Sequence, residues 1–135
     1  MNVNSIRGIF AAQGYIHTHE TKKRDEFQAP FCGQFLYLFK ERDLTSFMQI
    51  VIHPDLKFEP FLSLPAVTFP RPDGFHHGSN MRQFPKRKNR GKNEIHYGKA
   101  LEIDSLEALA RFLQFFKALA RGEAIMPASL PSDGR

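Results

Sequence analysis

Cysteine and tryptophan are nearly missing from this 135-residue chain: there is one cysteine, Cys32, and no tryptophan. A lone cysteine excludes a disulfide framework and any zinc site built on a cysteine pair. Cys32 reads as a small buried apolar residue, the usual setting of a free thiol. No apolar run approaches the roughly eighteen residues that would cross a bilayer, so no membrane partner is expected. Residues 1–15 carry a helical pattern instead of a basic n-region, an apolar h-region and a cleavage site. A cytoplasmic protein without a secretory signal is therefore expected. Also missing are a glycine-rich phosphate loop, a dinucleotide fingerprint and a nucleophile elbow. These absences weaken the case for an enzyme, and no cofactor is expected. No internal repeat is visible.

Phenylalanine, by contrast, is abundant. There are fourteen, and apolar residues make up 41% of the chain, enough for a packed core and against a wholly disordered chain. The length suits one domain, expected over residues 1–122, with a loose tail at 123–135 that carries two prolines and ends Ser-Asp-Gly-Arg.

The net charge of +5 is unevenly placed. Residues 71–99 hold eight basic side chains (Arg71, Arg82, Lys86, Arg87, Lys88, Arg90, Lys92, Lys99) against Asp73 and Glu94, a net of +6. The remainder holds eleven basic and twelve acidic residues, a net of −1. A confined basic patch points to an anionic partner more strongly than a diffuse charge does.

Apolar spacing predicts a helix over 3–13, with Val3, Ile6, Ile9 and Phe10 three or four apart and Gly14 as its stop. Residues 17–30 are polar and read as a loop or an exposed hairpin. Residues 33–40 and 45–53 read as two strands of an antiparallel hairpin, apolar on both faces. Six prolines between 54 and 94 exclude a long helix there. A long irregular stretch in a compact domain is often functional. Residues 95–103 read as a further strand. Asp104 or Ser105 then caps a helix through about Arg121, with Glu107 at the acid position of a capping box and Gly122 as its end. The expected fold is α+β: an antiparallel sheet of three to five strands with N- and C-terminal helices packed on one face.

Ile52-His53-Pro54-Asp55-Leu56-Lys57, Phe84-Pro85, and His96-Tyr97-Gly98 leading into a capped helix resemble a family of small enterobacterial cytoplasmic proteins grouped as a domain of unknown function. The resemblance spans roughly residues 3–118. It implies a compact α+β fold with terminal helices against an antiparallel sheet, and it implies no activity. The basic segment departs from that family's pattern.

The first candidate site is residues 81–93, with six positive charges and no acid. Arg82, Lys86, Arg87, Lys88, Arg90 and Lys92 would contact phosphates, and Phe84 would stack on an exposed base. Asn89, Gly91 and Asn93 favour a turn that presents the charges together. The plainer alternative is a solvated loop that keeps the protein soluble. Histidines form the second candidate. His76 and His77 could shuttle protons, and a hydrolase built on them is one reading. No His-Glu-x-x-His spacing exists, so no metal site is expected. His53 and His96 fall at strand ends, where histidines satisfy backbone groups. The third candidate is Phe112, Phe115 and Phe116, a core stripe from which Phe115 lies slightly off and could face a second copy. Together these point to a small binding module that contacts nucleic acid or another polyanion through residues 82–92. The alternative is an interaction or regulatory module whose basic loop meets an acidic protein surface. Oligomeric state is left open.

Overall fold

A computed structural model describes residues 1–30, 33–41, 43–88, 91 and 93–120. Cys32, Asn89, Arg90, Lys92, Arg121, Gly122 and the expected tail at 123–135 lie outside the described residues.

Helix α1 (Val3–Ala12) begins where the Asn2 side chain accepts a hydrogen bond from the Ser5 N–H. It ends at Gly14, whose φ of +86° is the left-handed conformation glycine adopts without strain, and whose N–H donates to the Ala11 carbonyl. Four strands follow in an antiparallel meander: β1 (Ile16–Glu20), β2 (Arg24–Gln28), β3 (Phe35–Phe39) and β4 (Met48–Ile52). Residues 17–30, expected as a loop or exposed hairpin, form the β1–β2 hairpin. Only β1 is exposed; Arg24 to Phe27 of β2 are buried despite three charges.

The proline-rich stretch makes a 3-10 turn (Glu59–Ser63) and three short strands, β5 (Val67–Thr68), β6 (His76–His77) and β7 (Lys86–Lys88). Strand β8 (Glu94–Ile103) collects them all. Its inner half pairs with β4 and β5, and its outer half with β6 and β7. The described sheet therefore has eight strands, more than the three to five expected. Proline blocked a helix in this segment but did not prevent strands of two or three residues, too short to show a period.

Helix α2 (Leu106–Ala120) starts at Ser105, whose hydroxyl accepts from the Ala108 N–H. One core cluster joins Ile6 and Phe10 of α1 and Leu109, Phe112 and Leu113 of α2 to the alternate strand residues Leu36, Leu38, Ile50, Ile52, Leu101 and Ile103. Each fully buried side chain of this size contributes about 2 kcal/mol. Phe115 belongs to this core, edge-on to Phe61 at 5.5 Å, and so is not available as an exposed contact. Tyr15 ties the helices together by donating to the Leu113 carbonyl. No described helix is long and apolar enough to cross a membrane.

On the opposite sheet face a second, smaller cluster forms from Tyr37, Val51, Met81 and Phe84. The segment after β6 thus lies over that face as its cover.

Candidate functional site: a basic three-stranded arm

The outer half of β8 projects beyond the strands that make the main core. Its flanking strands take opposite edges. Tyr97 N–H donates to Pro85, which leads into β7, while the His96 carbonyl accepts from Gly78, which follows β6. Consecutive residues of a strand aim their backbone groups at opposite edges, so the arm runs β6–β8–β7.

Cross-strand partners share a face. His77 pairs with Tyr97 and Arg87 with Ile95, so these side chains occupy one side. His76, Lys86 and Lys88 occupy the other, opposite Gly98, His96 and Glu94. Lys86, Arg87 and Lys88 are all exposed. None of the three makes an ion pair with a carboxylate among the described residues. Arg87 instead lays its guanidinium over the Phe75 and Tyr97 rings.

Two others are placed differently. Phe84 is buried, 4.9 Å edge-on to Tyr37, with His53 on another side. A base cannot reach its ring, so the expected stacking role does not fit its position. The cause is Gly98, which lacks the Cβ that would stand 2.8 Å from the Phe84 ring. Arg82 is half-exposed, but its guanidinium binds the buried carboxylate of Glu26 at two points, each 3.1 Å. It anchors the cover segment to β2 instead of facing outward.

Glu26 also accepts from Tyr37 Oη at 2.6 Å and Thr18 Oγ1 at 2.8 Å. Burial pushes this carboxyl up, but the bonds from Arg82, Tyr37 and Thr18 outweigh it and hold it below the usual range. Arg24, two residues before it, is buried without a carboxylate partner among the described residues. Its guanidinium meets Asn80 and His76 and lies 4.6 Å from the Phe39 ring centre. Burial pulls it down to about 10, so it stays charged at neutral pH.

His76 and His77 face opposite sides of β6, and no two-histidine site forms from them. His53 Nδ1 accepts from the Asp55 N–H, and His96 Nδ1 bonds the Phe84 carbonyl. His77 stacks on Tyr97 at 6.0 Å. Burial lowers its affinity for a proton, and the charges of Arg87 and Arg71 lower it further.

Sequence reasoning missed a second cluster. His17, Glu20 and Asp25 bring ligand atoms within 4.8 Å of one another. Asp25 is fully buried and receives Arg7 at 2.7 Å and Lys40 at 3.1 Å, and both cations also meet Glu20. Arg7 and Lys40 thus engage both carboxylates, and these contacts form an ion-pair network tying α1 to the β1–β2 hairpin. A bulge explains why the pattern was hidden. His17 pairs with Phe27 but His19 with Glu26, so Thr18 is extra. This places His17 and Glu20 on one face, where regular alternation would separate them.

An apolar cavity of about 330 Å³ opens between Leu56, Phe61, Phe116 and Leu119, next to α2. A smaller one, about 50 Å³, lies between Gln49, Arg71, Phe75 and His76.

No family model matches the chain, and no curated protein matches it. The functional reading therefore comes from the arm and its charges.

Proposed function

We propose that the protein is a binding module for nucleic acid or a similar polyanion, and that the arm is its contact surface. The observation that carries this is the run Lys86, Arg87 and Lys88: three exposed cations on one short strand, none paired to an acid among the described residues. Lys86 and Lys88 lie on one side of β7 and Arg87 on the other, so a nucleic-acid backbone that runs along this strand can have its phosphates neutralised from both sides, with release of their counterions. Arg87 brings a planar guanidinium suited to two-point phosphate contact. Arg90 and Lys92, outside the described residues, would extend the charge. Arg82 fixes the cover segment through Glu26, and Phe84 packs beneath the arm. Neither contacts the ligand in this reading.

The test is fluorescence-anisotropy titration with labelled oligonucleotides at about 150 mM salt, where weak surface electrostatics are screened. Micromolar or tighter binding that drops in a Lys86→Gln/Arg87→Gln/Lys88→Gln variant supports the reading. Equal affinity of the folded variant overturns it. The competing reading, an acidic protein partner, predicts that oligonucleotides do not bind at all.

A further inference from the structure

The side of the arm that carries His77 and Tyr97 differs in character from a plain basic surface. Phe75, two residues before His77, shares its side of the chain and meets Tyr97 edge-on at 5.1 Å. Arg87 lies over both rings, its guanidinium carbon 5.1 Å from the Phe75 centre and 5.4 Å from that of Tyr97. The Lys99 ammonium lies 5.0 Å from the Phe75 ring centre. Arg71 donates to the Phe75 carbonyl at 3.2 Å. Along β8 this same side continues inward to Leu101 and Ile103, which join the main core. Lys99 interrupts this side between Leu101 and Tyr97, buried with its ammonium donating to the Pro72 carbonyl, and beyond it the side ends in the partly exposed rings of Tyr97 and Phe75, with Arg87 and Lys99 against them.

Phosphate binding alone needs no rings. Exposed bases of a single strand do use them, stacking on tyrosine, phenylalanine or an arginine plane, whereas a duplex hides its base faces. We propose that the Phe75–Tyr97 side of the arm is a stacking platform for an unpaired base of single-stranded nucleic acid, which takes the place that Arg87 holds over the two rings, with Arg87 turning onto the outer face of that base and Arg71 taking an adjacent phosphate. This rests on the polyanion-binding reading above and deepens it to a substrate class.

Two measurements decide it. The first compares wild-type protein on a single strand of about eight nucleotides with a duplex of the same length and with heparin, which has charge but no bases. The single strand is expected to bind about tenfold tighter than the duplex at the same salt. Equal affinity for all three ligands overturns the platform. The second uses Phe75→Leu and Tyr97→Leu, which keep apolar bulk but remove the ring. Each is expected to weaken single-strand binding about tenfold and leave heparin binding unchanged. If both variants fold and bind the single strand like wild type, while Lys86→Gln/Lys88→Gln weakens it, the platform is wrong and polyanion binding stands. If wild-type protein binds none of the three ligands, polyanion binding fails and the platform with it. Should a leucine variant not fold, the wild-type comparison of the three ligands decides alone.

Discussion

Arg82 and Glu26 stand fifty-six residues apart and meet through two hydrogen bonds of 3.1 Å each. Glu26 is buried on β2, and Arg82 belongs to the segment that covers the sheet. The pair fastens that cover and so positions the strand that follows, β7, where the exposed cations lie. Glu26→Gln keeps the shape but removes the charge that Arg82, Tyr37 and Thr18 all engage. It should lower stability by about 2 kcal/mol, the scale of a hydrogen bond to a charged group. Urea denaturation at neutral pH measures this.

Acid should act through the same carboxylate and its neighbour. For Asp25, burial raises the carboxyl, but Arg7 and Lys40 more than offset it and hold it below its ordinary 3.8; Glu26 is likewise held below its ordinary 4.5. Groups with depressed folded values bind fewer protons when folded than when unfolded. Their stabilisation is complete above the unfolded values and disappears as pH falls through the folded ones. These two groups should leave the melting temperature level from about pH 7 to 5 and make it fall below about pH 4.5. In Glu26→Gln the fall should be shallower. A profile unchanged by that substitution would show that Glu26 does not carry the effect.

Phe84 separates a core role from a contact role. Phe84→Ala should cost about 3 to 5 kcal/mol through the cavity left between Tyr37 and Val51. Gly98→Ala should be destabilising by about 1 to 3 kcal/mol, because its Cβ would meet the Ile52 carbonyl at 2.6 Å. Denaturant melts of both check this. A Phe84→Ala variant of unchanged stability would return that ring to the surface role its neighbours in sequence suggested.

How far the sequence spoke for itself varies by element. Helices α1 and α2 and strand β8 were visible because each holds enough residues to show a period, and β3 and β4 because each lies in a run rich in aromatic and aliphatic residues. Strands β6 and β7 have two and three residues, and no period can appear over that length. Burial of Arg24, Asp25 and Glu26 was invisible because their partners are distant: Arg7, Lys40, Asn80 and Arg82. Among site residues, Lys86, Arg87 and Lys88 could be named from charge alone. Phe84 was misread because proximity in sequence to cations says nothing about which way a ring packs, and Gly98 decides that. Phe75 and Tyr97, twenty-two positions apart, come together only when β6 pairs with β8.

His77 offers a local probe of the arm. Burial first, then Arg87 and Arg71, lowers its proton affinity from the ordinary 6.5. Arg87→Gln removes one of those charges and should raise the titration midpoint of this ring, as followed by NMR. Binding of a polyanion at the arm should raise it too, since a nearby negative charge favours the protonated ring. A midpoint indifferent to both changes would place the ligand elsewhere.

The most direct test of the arm as a polyanion-binding surface is the salt dependence of oligonucleotide affinity in wild-type protein and in Lys86→Gln/Arg87→Gln/Lys88→Gln. Each phosphate contact contributes about 0.7 to 0.9 to the slope of log affinity against log salt. The triple variant is therefore predicted to bind more weakly, with a slope shallower by about 2 to 3. A folded variant with the affinity and slope of wild type would contradict a polyanion-binding role for the arm.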